Sequence, residues 1–217
     1  MTAFSTLNSL PDSQLDNLRE MGYTSMTPVQ AATLPAILQG RDVRAQAKTG
    51  SGKTAAFGIG LLHHIDSTRF QTQALILCPT RELADQVGNV LRQLARFTRN
   101  IKVLTLCGGQ PMSAQRDSLV HPPHIVVGTP GRILDHIHRE NLKLDQLNTL
   151  VLDEADRMLE MGFLNDMETI IEATPASRQT LLFSATWPDG ITAISTRFQR
   201  DALSVVTEDV KIGRAHV

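Results

Sequence analysis

Cysteine is nearly absent. Only Cys78 and Cys107 occur in 217 residues, far apart and in no CxxC spacing, which excludes a disulfide framework and a thiolate metal site. Each follows an apolar run and reads as a buried, reduced thiol. Charge of one sign is equally lacking: 21 Lys and Arg against 22 Asp and Glu leave a formal net charge of −1. No sequence-wide basic footprint announces a nucleic-acid binder, so any such contact must come from a local surface. No apolar run approaches the about 18 residues that a membrane-spanning helix needs. The first residues, MTAFSTLNSL, lack the charged start and apolar core of a secretory signal. A cytoplasmic protein, monomeric and without a membrane partner, is expected. His63, His64, His121, His124, His136 and His138 have no carboxylate or cysteine partners at ligand spacing, and read as surface or packing residues.

What is present is a repeated alternation. The chain is long enough to bury a full core as one large domain, and no internal repeat or low-complexity linker interrupts it. Strands are expected at 42–46, 73–78, 101–107, 124–127, 149–152, 180–183 and 203–206. Several are continuous apolar runs (ALILC, HIVV, TLVL, TLLF), the mark of strands covered on both faces. Between them lie amphipathic stretches such as 82–97, where Leu83, Val87, Val90, Leu91 and Leu94 recur at helical spacing. Two short helices precede the first strand, the second opened by Thr27 as N-cap and Pro28 at its first position. Strands alternating with helices predict right-handed crossovers and a mostly parallel, doubly wound α/β sheet. In such sheets the active site lies at the carboxyl ends of the strands. The chemically suggestive motifs all fall there.

AKTGSGKT, residues Ala47, Lys48, Thr49, Gly50, Ser51, Gly52, Lys53 and Thr54, directly follows the first strand and opens a helical run. Gly50 and Gly52 allow the backbone to wrap phosphates with N–H groups, and the helix start favours the same anion. Lys53 would reach the β- and γ-phosphates, and the Thr54 hydroxyl would ligate Mg²⁺. Ala47 departs from the GxxxxGKT pattern at its first glycine. The strand TLVL then delivers Asp153, Glu154, Ala155 and Asp156. Asp153 is placed to anchor Mg²⁺, and Glu154 to polarise a water for in-line attack on the γ-phosphate.

These motifs resemble those of the DEAD-box RNA helicases in identity, order and spacing, from Phe4 to about Val206. GYTSMTPVQ (22–30) is similar to the family's Q motif, with Phe4 at its upstream aromatic position. AKTGSGKT is followed by PTRELA (79–84), the pair Gly108–Gly109, TPGR (129–132), DEAD (153–156) and SAT (184–186). The resemblance implies a RecA-like fold that binds ATP. It makes Gln30 the reader of the adenine edge, through a carboxamide that matches its donor and acceptor, and Phe4 a stacking partner, with Tyr23 and Thr27 beside them. It assigns Pro79, Thr80, Arg81, Gly108, Gly109, Thr129, Pro130, Gly131 and Arg132 to the RNA backbone, which such groups grip without reading bases. Asp156, Ser184 and Thr186 would link ATP state to RNA binding. Trp187 and Pro188 are expected to pack and turn.

Three units are expected: a Q-motif region at 1–31, a RecA-like ATP-binding domain at 32–210, and a tail at 211–217. The tail, KIGRAHV, does not continue the preceding pattern, and from Ile212 it matches a translated sequencing adapter. The natural chain is therefore expected to continue beyond about residue 210, into a second RecA-like domain that supplies transition-state arginines, with RNA choice residing further on. The likeness to one bacterial member of the family implies ribosomal RNA as partner, during large-subunit assembly. Two other readings remain open on residues alone. A nucleotide kinase or GTPase would need a substrate lid or a guanine-reading NKxD element, neither of which is visible. An RNA-binding domain without autonomous activity would not need the complete phosphate and Mg²⁺ set.

Overall fold

A computed structural model describes residues 1–207; the expected tail lies outside the described residues. Seven strands form one sheet: β1 (Val43–Gln46), β2 (Ala74–Leu77), β3 (Val103–Leu106), β4 (Ile125–Gly128), β5 (Thr149–Leu152), β6 (Gln179–Ser184) and β7 (Leu203–Val206). Their spatial order is β3-β4-β2-β5-β6-β1-β7, and all the pairings are parallel. The helices are α1 (Asp12–Glu20), α2 (Pro28–Leu38), α3 (Lys53–His63), α4 (Arg81–Leu94), α5 (Met112–Leu119), α6 (Pro130–His138), α7 (Ala155–Glu160), α8 (Leu164–Glu172) and α9 (Asp189–Phe198). Single 3-10 turns occupy Phe4–Thr6 and Ala95–Phe97. No helix among the described residues is long and apolar enough to cross a membrane.

Side-chain alternation along the strands divides the core between the two faces of the sheet. Ala74 and Ile76 of β2 join Val43, Val127, Val151 and Phe183 in one cluster, shared with α2, α3 and α4. Leu75 and Leu77 join Val126, Leu150, Leu152 and Leu182 in the other, under α6, α8 and α9. Each fully buried Leu or Ile contributes about 1.5–3 kcal/mol, which is why the strands read as unbroken apolar runs.

All seven expected strands are present; β5 and β7 keep their expected ends and the other five shift by one or two residues. Strand β3 begins at Val103, two residues later than its apolar run. Asn100 takes a positive φ of 64°, and the Lys102 N–H donates to His124 Nδ1 at 3.0 Å, so the ladder starts only beyond that kink. The expected helix at 82–97 is α4 followed by the tighter turn at Ala95–Phe97. At α2 the local chemistry acts as expected. The Thr27 hydroxyl accepts from the Gln30 N–H at 3.4 Å, and the Gln30 side chain accepts from the Thr27 N–H at 2.9 Å. That reciprocal cap fixes the start of α2, and with it the position of Gln30.

Candidate functional site

Strand β1 delivers the phosphate loop beside the end of β6, where the Ala47 N–H donates to the Ser184 carbonyl at 3.0 Å. Gly50 and Gly52 turn the loop with φ of 82° and 88°, a region costly for other residues. At Gly52 a second constraint applies. A Cβ there would lie 2.7 Å from Gln30 Nε2 and 2.9 Å from the Thr27 hydroxyl. The capped start of α2 thus packs directly on the loop, and Gln30 Nε2 donates to the Gly52 carbonyl at 3.0 Å. Helix α3 begins immediately after, with its positive end at the loop.

Lys53 extends from the first turn of α3 towards the end of β5. Its Nζ lies 3.0 Å from Asp153 Oδ1 and 3.7 Å from Glu154 Oε1. Thr49 donates its hydroxyl to Glu154 Oε1 at 3.0 Å, and Arg157 Nη1 approaches the other carboxylate oxygen at 3.5 Å. Glu154 itself holds a left-handed backbone, φ 51° and ψ 51°, uncommon for a non-glycine residue and concentrated at functional sites. That conformation ends β5 abruptly and starts α7. One loop, one helix start and one strand end thereby converge on two carboxylates and an ammonium.

Asp153 is fully buried, and neither carboxylate oxygen receives a hydrogen bond of ordinary geometry. Burial drives its pKa above the usual carboxylate range, with the Lys53 charge opposing. A buried carboxylate that has one ammonium beside it and few hydrogen bonds is costly, and a divalent cation would relieve it. Among the described residues no three His, Cys, Asp or Glu side chains converge as a cage. The donors fit Mg²⁺, which takes one or two protein ligands and fills its shell with phosphate oxygens and water. Asp153 and Thr54, which follows Lys53 in α3, would hold it.

Asp156, the second residue of α7, faces the end of β6. Its Oδ2 accepts from the Thr186 N–H at 3.1 Å and the Thr186 hydroxyl at 2.8 Å. Its own N–H donates to Ser184 Oγ at 3.1 Å, and Ser184 Oγ donates to the Thr186 carbonyl at 2.7 Å. Partial burial alone would raise the Asp156 pKa, but the Thr186 and Ser184 hydrogen bonds outweigh it and hold the carboxyl below its ordinary value. The three residues expected to act together are in mutual contact.

The expected RNA-facing residues lie along the carboxyl ends of β2, β3 and β4. Thr80 caps α4, its hydroxyl accepting from the Leu83 N–H at 3.3 Å, and Pro79 is buried behind it. Arg81 projects from the start of α4 against Gly109, where φ is 79° and a Cβ would stand 3.1 Å from the guanidinium. Thr129 and Pro130 open α6, so two helix starts point at this edge. Gly108 and Gly109 are exposed, while Gly131 and Arg132 are half-buried. Arg132 Nη1 donates to the Gln110 carbonyl at 2.8 Å, which ties α6 to the glycine-pair loop.

The adenine-side residues are less completely assembled. Gln30 is buried beside the loop, with both ends of its carboxamide engaged as described above. Each end keeps one hydrogen-bonding position, since the oxygen has two lone pairs and the nitrogen two protons. Phe4 is only 4% exposed and belongs to the main core cluster. Its ring meets Tyr23 edge-on at 6.3 Å, and the two border a recess of about 60 Å³ with Arg19 and Thr24. Phe4 is thus a core residue in this structure rather than an open stacking face.

Some participants gave no readable signal. Gln115, buried on α5, accepts from Arg132 and contacts His136; nothing in its local sequence marks it. Arg157 stands three residues from Glu154, a spacing at which helical side chains meet, and could have been found. His124 and His136 are fully buried, whereas His63, His121 and His138 are on the surface and His64 is half-buried. Both cysteines are buried and free. Burial, then the charge of Asp153, pushes the Cys78 thiol well up, and burial raises Cys107 to about 11. Neither is a ready nucleophile.

The chain is similar to known proteins in sequence and in fold. The family described as "DEAD/DEAH box helicase" matches residues 27–194. The chain is 69% identical, over 205 residues, to the ATP-dependent RNA helicase DbpA of Escherichia coli K12, covering 94% of this chain and 45% of that protein. It is 52% identical over 198 residues to the ATP-dependent RNA helicase CshA of Listeria monocytogenes, covering 91% of this chain and 38% of that one. The crystal structure of a DEAD box protein from the hyperthermophile Methanococcus jannaschii superposes with a TM-score of 0.91 at 39% identity, across 96% of this chain and 56% of that one. The chain spans less than half the length of these curated relatives. Its seven parallel strands, its phosphate loop and the acids that face it follow one pattern: the chain belongs to the DEAD/DEAH box helicase family.

Proposed function

We propose that this chain is the ATP-binding first RecA-like domain of an ATP-dependent RNA helicase. The observation that carries this reading is the convergence of Lys53, Thr49, Asp153 and Glu154 on one point at the start of α3. The P-loop N–H groups and Lys53 bind the phosphates, which draws Lys53 away from the two acids. Mg²⁺, held by Asp153 and Thr54, would supply charge neutralisation at the phosphates. Glu154, released from Thr49 and Lys53, accepts the proton of the attacking water. Gln30 reads the adenine edge through the free proton and lone pair of its carboxamide. Phe4, Tyr23 and Thr27 shape that side of the site, Phe4 from within the core.

Arg81, Gly108, Gly109, Arg132 and the starts of α4 and α6 contact the RNA sugar–phosphate backbone, with Pro79, Thr80, Thr129, Pro130 and Gly131 setting the turns. Asp156, Ser184 and Thr186 pass the state of the nucleotide site to that edge. Ribosomal RNA during large-subunit assembly is the finer proposal, with RNA choice lying outside the described residues. We further propose that the protein is cytoplasmic and monomeric.

ATP binding is tested by isothermal titration with ATP and Mg²⁺. Binding to the wild type that Lys53→Ala abolishes is expected. A preference for GTP, or affinity indifferent to Lys53, would count against the reading.

A further inference from the structure

Helix α6 carries a buried histidine that the chemistry above does not use. His136 lies one turn beyond Arg132 and is 0% exposed. Its partners fix its hydrogen-bonding roles. A guanidinium can only donate, so the atom that Arg132 Nη1 meets on Gln115 at 3.0 Å is the oxygen, Oε1. Gln115 Nε2 correspondingly donates to the Cys107 carbonyl at 2.9 Å. His136 Nε2 sits 2.7 Å from the same Gln115 oxygen, and must therefore carry a proton. Its Nδ1, 3.1 Å from Asn141 Nδ2, is left as the acceptor of a neutral ring. Burial, and then the Arg132 charge, lower the imidazole pKa, which favours that same uncharged form.

We propose that His136 is a positioning residue for the RNA backbone: its Nε2 proton orients Gln115, which in turn sets Arg132 and the loop of Gly108 and Gly109. The geometry makes Gln115 the shared node. Its oxygen receives both Arg132 and His136, and its nitrogen holds the carbonyl that immediately precedes the glycine pair. Arg132 reaches that loop a second time through the Gln110 carbonyl at 2.8 Å. Two separate RNA-facing elements are thus set by one neutral ring. Without the histidine proton, Gln115 Oε1 keeps Arg132 but loses one of its two donors in a buried place, where each lost hydrogen bond weighs more. The amide is then held only by the Cys107 carbonyl and Arg132, and its looser orientation loosens Arg132 with it. The inference rests on the assignment of Arg132, Gly108 and Gly109 to RNA made under Proposed function.

The test uses the whole chain and a labelled single-stranded oligouridylate, followed by fluorescence anisotropy at low salt. His136→Gln places an amide N–H near the Nε2 position. His136→Asn keeps a polar group towards Asn141 but has no donor there. The Gln variant is expected to bind like the wild type, and the Asn variant about tenfold more weakly, as when one charge-assisted contact is lost. Urea unfolding of both variants separates this from general destabilisation, since a purely structural role would not distinguish them in binding. Nitrogen NMR of the wild-type imidazole supplies a measurement that needs no variant, and an Nε2–H neutral ring is expected. An Nδ1–H or charged ring would overturn the inference, as would equal RNA affinity in the Asn and Gln variants. If the folded wild type binds no RNA, the Arg132 assignment fails and the inference goes with it; normal binding with no difference between variants sinks the inference alone.

Discussion

At the scale of single residues, the two loop glycines separate conformational strain from steric contact. Gly50 and Gly52 share a positive φ, but a Cβ at Gly50 meets nothing within 4 Å, whereas at Gly52 it meets Gln30 and Thr27. Gly50→Ala should cost about 1 kcal/mol from backbone strain alone. Gly52→Ala should cost about 1–3 kcal/mol more, because the capped start of α2 must move. Urea unfolding of both variants measures the difference, and equal losses would show that the α2 contact is slack. Asp156 gives a pH-dependent counterpart. Its folded pKa is depressed, so its stabilisation is present above the ordinary value of 3.8 and is lost as pH falls through the lower folded value. Thr186→Val removes one donor from this partly exposed carboxylate, at a cost on the order of 1 kcal/mol after allowing for solvent screening. The stability gap between wild type and variant should be full at neutral pH and close below pH 3.8. A gap that stays constant through acid would mean that Asp156 is not the acceptor that matters.

At the scale of elements, helices α2 and α3 meet more closely than most. A Cβ at Gly60 would stand 2.1 Å from Ile37 Cγ2, both residues being fully enclosed in the core. Gly60→Ala should therefore destabilise by about 1–3 kcal/mol despite alanine's better helix propensity, as thermal unfolding would register. An unchanged or raised midpoint would mean that Ile37 can turn aside. The same scale shows what the sequence discloses. Strands covered on both faces declare themselves as apolar runs, and the Thr27–Gln30 cap is written in four adjacent residues. The glycine-bearing loop after β1 and the acid pair after β5 are legible because each follows its strand directly. The start of β3 is not legible, since it depends on His124, 22 residues from the backbone it holds. The Arg132–Gln115–His136 chain is hidden for the same reason, its members being 17 and 21 residues apart. The expectation for Phe4 rested on motif position. Its burial depends on the whole core around it, which no short motif encodes.

At the scale of the whole molecule, the site is one-sided. On the proposed reading the carboxyl edge of the sheet presents phosphate donors, a proton acceptor and a cation-binding acid, and Lys53 reaches both acids from the start of α3. Transition-state charge on a transferring phosphoryl group needs further cationic groups, whose removal from enzymes of this kind costs about 10³–10⁵ in rate. The described residues direct Arg157 at Glu154 and Arg132 at the glycine-pair loop. Neither side chain is committed to the nucleotide. This chain alone should therefore bind ATP with Mg²⁺ weakly, hydrolyse it very slowly, and separate no duplex. On the proposed reading, a longer protein that adds a second RecA-like domain should show RNA-stimulated turnover higher by about 10³ or more, and Glu154→Gln in that longer protein should lower it about 10²–10⁴-fold while leaving ATP binding intact. Phosphate release from the two lengths of chain, with and without RNA, makes the comparison. Rapid RNA-stimulated turnover by the short chain would mean that its own arginines complete the site, and the division of labour between two domains would have to be abandoned.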